Sequence, residues 1–175
     1  ISREDLLKVI PSYEALIVRG RTKVTRDVID AAGKLRVIAR AGVGLDNIDV
    51  EYAKARGIEV INAPEGSTQS VAELTIGLMI AAARLVSLQD RLIKGGEWPK
   101  GKYMGIELFG KTLGVIGFGR IGQRVAELAK SIGMRVIAYD VVDIRDRASK
   151  LSVDAVGFEE LLRRSDFIAI HVSLT

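Results

Sequence analysis

The sequence predicts an α/β protein made of two open parallel-sheet domains, and three observations predict it. From residue 14 onward, short apolar runs alternate with helix-patterned segments, the rhythm of parallel strands joined by helices. A cluster of turn residues, Gly95-Gly96, Trp98-Pro99 and Gly101, interrupts that rhythm once. A second alternation then begins, and its first strand runs into a glycine-rich turn that opens a helix. The division expected from these signals is residues 1–94 and residues 95–175, with Trp98 as a local hydrophobic anchor at the junction.

Taken in order, Ser2 followed by Asp5 reads as a helix N-cap, so the chain opens on a helix with no strand before it. ALIV (15–18) is a strand ending in Arg19-Gly20-Arg21-Thr22. Thr25 caps the helix TRDVIDAA, and LRVIA (35–39) is the next strand. Asp49 caps VEYAKARG, Gly57 ends it, and IEVINA (58–63) follows with Pro64 just beyond. Ser70 and Glu73 have the spacing of a capping box in front of one long apolar-periodic helix, 70–94. After the break come the strand LGVIGF (113–118), a helix running to Ser131 with Gly133 as its stop, and the strand RVIAYD (135–140). A short strand near Ala155, the helix FEELLRRS and the strand DFIAIHV complete the pattern.

Composition narrows the class. Apolar residues are 48% and charged residues 27% of the 175, enough for a packed core. Cysteine is absent, so disulfides and thiolate metal sites are excluded, and a reducing cytoplasm is the expected setting. The net charge of +4 comes from 26 basic and 22 acidic residues interspersed along the chain, not from the clustered stripe a nucleic acid requires. No apolar run approaches the ~18–20 residues of a membrane span.

The most specific motif is Gly117-x-Gly119-x-x-Gly122. A lone GxGxxG is weak evidence, but this one follows an apolar strand, opens a helix, and is followed 18 residues after Gly122 by Asp140 at the end of the next strand. In that context it is a dinucleotide fingerprint. Gly117 permits the tight turn, Gly119 lets a pyrophosphate approach the backbone, and Gly122 lets helix and strand pack closely. The helix N-terminus offers N–H groups and partial positive charge to the pyrophosphate. Asp140 accepts hydrogen bonds from ribose hydroxyls, and no cation is adjacent to balance a 2′-phosphate, so NAD is expected over NADP.

Ligands of open α/β sheets bind at the carboxyl ends of the strands. The first domain brings Arg19-Gly20-Arg21, Arg40-Ala41-Gly42-Val43-Gly44 and Asn62-Ala63-Pro64 to such ends. Two arginines beside a glycine-rich turn suit a small, multiply charged anion, because the guanidinium fork matches carboxylate or phosphate oxygens in pairs. Solvated charges, or pairing with Asp46 or Asp49, would also account for these arginines.

The stretches LIVRGRTKVT, RAGVGLDNIDV, INAPEGSTQSVAELTIGLM, GKTLGVIGFGRIGQRVAELAKSIGMRVIAYD and SDFIAIHVSLT together resemble the D-isomer-specific 2-hydroxyacid dehydrogenase family, nearest to its phosphoglycerate dehydrogenases. The resemblance implies a flavodoxin-like substrate domain and a Rossmann NAD-binding domain flanking a cleft, both incomplete in this chain. It implies that Arg19 and Arg40 hold a substrate phosphate, and that backbone groups of Val43 and Gly44 hold its carboxylate, with Val43 also near the nicotinamide. Arg120, Ile121, Asp140 and Val172 fall on cofactor-contacting positions, and Ser173 stands where proline is usual. The implied activity is NAD-dependent oxidation of D-3-phosphoglycerate in serine biosynthesis, by a cytoplasmic homodimer. Neither a nucleic acid nor a membrane is an expected partner.

The family's catalytic histidine, glutamate and arginine lie later in the chain than HVSLT, so no catalytic residue is expected here. His171, the only histidine, matches a strand-end position instead. A full dinucleotide fold has six strands where this alternation supplies four, and the chain is therefore expected to be an interior piece of a roughly twofold longer enzyme, natural or trimmed. Two further readings are a reductase of glyoxylate, hydroxypyruvate or lactate, and a non-catalytic NAD-binding module of corepressor type or engineered origin.

Overall fold

The computed structural model describes residues 1–172, so Ser173 lies outside the described residues. The chain forms two compact units, Ile1–Ser67 and the remainder from Thr68.

In the first unit, α1 (Arg3–Val9) starts at Ser2, whose hydroxyl accepts the Asp5 N–H at 3.1 Å. A 3-10 turn, Ile10–Ser12, carries Pro11 and leads into β1 (Ala15–Val18). α2 (Arg26–Ala31) follows Thr25, but the Thr25 hydroxyl donates to the Asp27 carboxylate and makes no cap bond. After β2 (Val37–Arg40), the Asp49 carboxylate caps α3 (Val50–Ala55) by accepting the Tyr52 N–H at 3.2 Å, and β3 (Glu59–Asn62) closes the unit. The strands are parallel in the order β1-β2-β3, with Val18 beside Arg40 and Arg40 beside Asn62. Three loops therefore leave the sheet side by side at one edge. Leu16, Ile38 and Val60 face a core with Val24, Val28, Ala53 and Ile58. The opposite row, Ile17, Ala39 and Ile61, is in register across the sheet and open, Ile17 being 76% exposed.

The second unit opens on α4 (Thr68–Ala83) and α5 (Val86–Lys94). These replace the single helix expected over 70–94. They meet at a 65° bend where Leu85 takes a left-handed φ of 56°, which a continuous helix of L-residues does not tolerate. Ser70 consequently lies inside α4 and not at its cap, and the Glu73 carboxylate accepts from the Gln69 side chain one turn earlier. No single helix among the described residues is long and apolar enough to cross a membrane.

β4 (Thr112–Ile116), α6 (Arg120–Ser131), β5 (Arg135–Tyr139), α7 (Arg145–Lys150), β6 (Asp154–Ala155), α8 (Phe158–Arg164) and β7 (Phe167–Ile170) follow. The sheet is parallel in the order β6-β5-β4-β7, which is the 3-2-1-4 arrangement of a dinucleotide-binding half. α7 has no apolar period to announce it; its RDRASK turn is started by the Asp143 carboxylate, which accepts the Arg145 N–H at 3.0 Å.

The division into compact units does not coincide with the Gly/Trp/Pro break near residue 95. Ala72, Met79 and Ala83 of α4 are buried in one cluster with Val125, Ala126 and Ala129 of α6, and these small side chains let the two helices lie close. Trp98 anchors little, being 79% exposed.

Candidate functional site

In the second unit, the turn between β4 and α6 is shaped by steric limits that a sequence motif only implies. Gly117 has φ +89°, and a Cβ there would stand 2.4 Å from the His171 carbonyl oxygen. A Cβ at Gly122 would stand 2.1 Å from the Gly117 carbonyl oxygen, so α6 reaches this close to the turn only with glycine. At Gly119 a Cβ would meet nothing within 4 Å; the space above it is open to a ligand. α6 starts at once, with Gly119 as N-cap, so its unpaired N–H groups surround that opening. These features fit a pyrophosphate.

Asp140 stands beside this turn at the end of β5. One carboxylate oxygen accepts the Phe118 N–H at 2.7 Å, and the other has a 3.4 Å contact from the Val142 N–H. The sequence places Asp140 toward a ribose; its bond to the glycine turn was not legible there. Val172 lies next to Gly117, within 3.0 Å of where a Cβ would be, and its side chain is largely exposed. Arg120 is exposed at the first position of α6, while Ile121 packs partly into the core.

His171 follows β7, its N–H donating to the Ile116 carbonyl at 2.7 Å. Its Nε2 is buried and has no hydrogen-bond partner, and burial holds the imidazole below its ordinary pKa. It borders a groove of about 330 Å³ lined by Thr75, Leu78, Met79 and the strand β7. Among the described residues that line this groove there is no carboxylate, the usual orienting partner of a histidine base.

In the first unit, the Arg40 guanidinium folds back over the glycine turns. A Cβ at Gly42 would fall 1.4 Å from its Nη1, and one at Gly20 would lie 3.5 Å from its Nη2. Arg40 Nη1 reaches the Ala41 carbonyl at only 3.5 Å, and Nε is buried with no partner. Arg19 is exposed, and among the described residues its guanidinium makes no ion pair or hydrogen bond. Of the two acids that could have neutralised these arginines, Asp49 pairs with Arg26 at 2.9 Å, and the Asp46 carboxylate lies beside Gly44, where a Cβ would stand 2.8 Å from its Oδ1. Val43 is 39% exposed and Gly44 is exposed beside it, so both present backbone at the same strand end.

Two asparagines assigned no role from the sequence hold these loops. The buried Asn47 amide donates to the Arg19 carbonyl at 3.1 Å and the Thr22 carbonyl at 2.7 Å. Asn62, at the end of β3, donates to the Val43 carbonyl at 2.6 Å. Their partners are 19 to 28 residues away, so nothing local in the sequence announces them.

Comparison with known proteins identifies the family. The profile of the family described as "D-isomer specific 2-hydroxyacid dehydrogenase, catalytic domain" matches residues 1–154. The chain belongs to that family. It is 53% identical to a D-3-phosphoglycerate dehydrogenase of Methanocaldococcus jannaschii, with all of this chain and 34% of that protein aligned. It is 49% identical to a hydroxypyruvate reductase of Thermotoga maritima, covering all of this chain and 56% of the relative. The crystal structure of a cofactor (NAD+)-bound 3-phosphoglycerate dehydrogenase in Entamoeba histolytica superposes with a TM-score of 0.77 at 35% identity, over all of this chain and 51% of that one. The chain thus spans between a third and about half of the length of these dehydrogenases. The glycine turn lies in the compact unit that starts at Thr68, and the strand-end arginines lie in the unit Ile1–Ser67.

Proposed function

We propose that this chain is the cofactor-binding and substrate-recognising part of an NAD-dependent D-3-phosphoglycerate dehydrogenase. The observation that carries the substrate choice is Arg40, whose fork lies against Gly20 and Gly42 with its Nε unpartnered. A guanidinium held this way presents paired donors to a phosphate. Arg19, Val43 and Gly44 complete the substrate side of the proposal, the two backbones for the carboxylate and Arg19 with Arg40 for the phosphate. On the other unit, Gly117, Gly119, Arg120, Ile121, Gly122, Asp140 and Val172 are assigned to NAD. Bound NAD supplies the hydride acceptor. The protein residues hold the pyrophosphate against the α6 N-terminus and the ribose against Asp140.

Discrimination against NADP is supported by two features. Asp140 is an anion where a 2′-phosphate would come, and the first arginine after it in the chain, Arg145, is committed to Asp143 by bonds of 3.0 and 2.6 Å. That pairing holds the Asp143 carboxylate down to about 2. NADH is therefore expected to bind at least tenfold more tightly than NADPH in a fluorescence titration, by about 1.4 kcal/mol or more. Equal affinity would overturn the assignment of Asp140.

The Thermotoga relative keeps a second reading in play, a hydroxypyruvate reductase. Arg40→Ala in the full-length enzyme separates the two. A KM that rises for 3-phosphohydroxypyruvate and stays constant for hydroxypyruvate supports the phosphate assignment. Equal, small changes for both support the reductase.

Among the described residues lining its groove His171 meets no carboxylate, and this chain is expected to bind NADH without oxidising it against 3-phosphohydroxypyruvate; turnover would return His171 to the role of base. A homodimer is part of the proposal, supported by Leu74 and Leu78, which are 60% and 62% exposed one turn apart on α4. Sedimentation of Leu78→Lys should then show a lighter species than the parent. A cytoplasmic setting fits the absence of cysteine and is proposed with it.

A further inference from the structure

Gln123 takes no part in the dinucleotide fingerprint, yet its side-chain amide is bonded into the turn. Its Nε2 donates to two carbonyl oxygens, those of Phe118 and Gly119, each at 3.2 Å. The Gly119 oxygen also accepts the Gln123 backbone N–H at 3.0 Å, as the first bond of α6. From the other side, Asp140 takes the Phe118 N–H at 2.7 Å. The residue between, Phe118, is wholly buried.

A trans peptide is planar, with its C=O and N–H pointing in opposite directions. Pulling the Phe118 carbonyl toward Gln123 therefore turns the Gly119 N–H the other way. Pulling the Gly119 carbonyl in the same direction does likewise for the peptide that follows. The Phe118 N–H is already spent on Asp140. Left unheld, the Phe118 carbonyl could rotate toward the opening above Gly119, where its negative end would meet an anion; the Gly119 carbonyl keeps its helix bond from the Gln123 N–H.

We propose that Gln123 is a positioning residue for pyrophosphate binding: its amide holds the Phe118 and Gly119 carbonyls away from the ligand, so that the Gly119 peptide N–H is presented to it. This rests on the proposal that the turn binds the pyrophosphate of NAD. The clamp acts on the diphosphate and not on the base or the ribose. Gln123 is half-buried in the first turn of a long helix, where methionine has a similar length, a good helix propensity and no N–H to give.

The test is calorimetric titration of the parent chain, Gln123→Met and Gln123→Ala with NADH, ADP and adenosine, each protein first checked by circular dichroism and thermal melting. Both variants should lose about tenfold in affinity for NADH and ADP, the scale of one misdirected charge-assisted hydrogen bond, while adenosine changes less than about twofold. In the same samples, the Gly119 amide resonance of the parent should shift on adding ADP, and the shift should shrink in Gln123→Met. Variants that bind ADP as tightly as the parent overturn the clamp and leave the NAD assignment standing. Equal losses for adenosine and ADP also overturn it, since they mean a general loosening of the unit. A parent chain that binds neither NADH nor ADP overturns both.

Discussion

Single residues in this chain do work that their identity alone does not reveal. Asn47 ties the Arg19–Thr22 loop to the loop after β2 through two carbonyls. Asn47→Ala should cost about 1–3 kcal/mol in urea unfolding, because it removes two part-buried hydrogen bonds made by a buried side chain. Gly117→Ala should be worse tolerated than most substitutions at exposed positions. It needs φ +89° and puts a methyl 2.4 Å from the His171 carbonyl, so a lower melting temperature and loss of NADH binding are both expected. His171 contributes a pH dependence of definite sign. Burial lowers its pKa below the ordinary 6.5, so the unfolded chain takes up the proton first as pH falls. The stability associated with the neutral imidazole is complete above the unfolded value and is lost as pH drops from about 6.5 toward the folded pKa. Chemical unfolding at pH 7.5 and 5.5 should show this loss in the parent and a smaller one in His171→Gln.

At the scale of elements, helix ends decide what the periodicity leaves open. α4 and α5 read as one apolar-periodic helix, and the left-handed Leu85 breaks them apart. The Ile106 N–H then donates to the freed Ala83 carbonyl at 2.8 Å, a bond between distant stretches of sequence. The end of α7 has the same left-handed conformation at Ser152, with φ 50°, where glycine is usual after a helix. Ser152 is exposed, and its carbonyl, which glycine retains, accepts from Lys130 at 2.9 Å. Ser152→Gly should therefore stabilise the second unit by about 1 kcal/mol, read as a rise in the denaturant midpoint without a change in slope.

Considered whole, the molecule carries two parallel sheets covered to different extents. Parallel sheets are ordinarily packed on both faces. The first sheet is packed on the face of Ile38 and open on the face of Ile17, Ala39 and Ile61. The second sheet ends at β7, where Ile170 is 65% exposed. An apolar dye should bind the chain in its native state, and Ile17→Thr combined with Ile61→Thr should reduce the fluorescence while leaving the circular dichroism unchanged. Dye binding that ignores these substitutions would mean the open row is not the apolar surface the dye detects.

What the sequence by itself determined follows from local physics. Strand and helix periodicity, the glycines of the turn, and the arginines at strand ends all act within a few residues of where they stand. The alternation of strands and helices, the two parallel sheets and the Ser2 cap were accordingly legible. Decisions between segments distant in sequence were made only by the tertiary structure. It assigned α4 to the second unit, because small side chains from α4 and α6 bury one another. It bound Asp140 to Phe118 across 22 residues and Asn47 to Arg19 across 28. It folded Arg40 over Gly20 and Gly42, so that two glycines from different strand ends make room for one guanidinium. A hydrogen bond or a close contact between remote positions leaves no periodic trace in the chain, which is why the residues that hold the loops became visible only once the strands were set side by side.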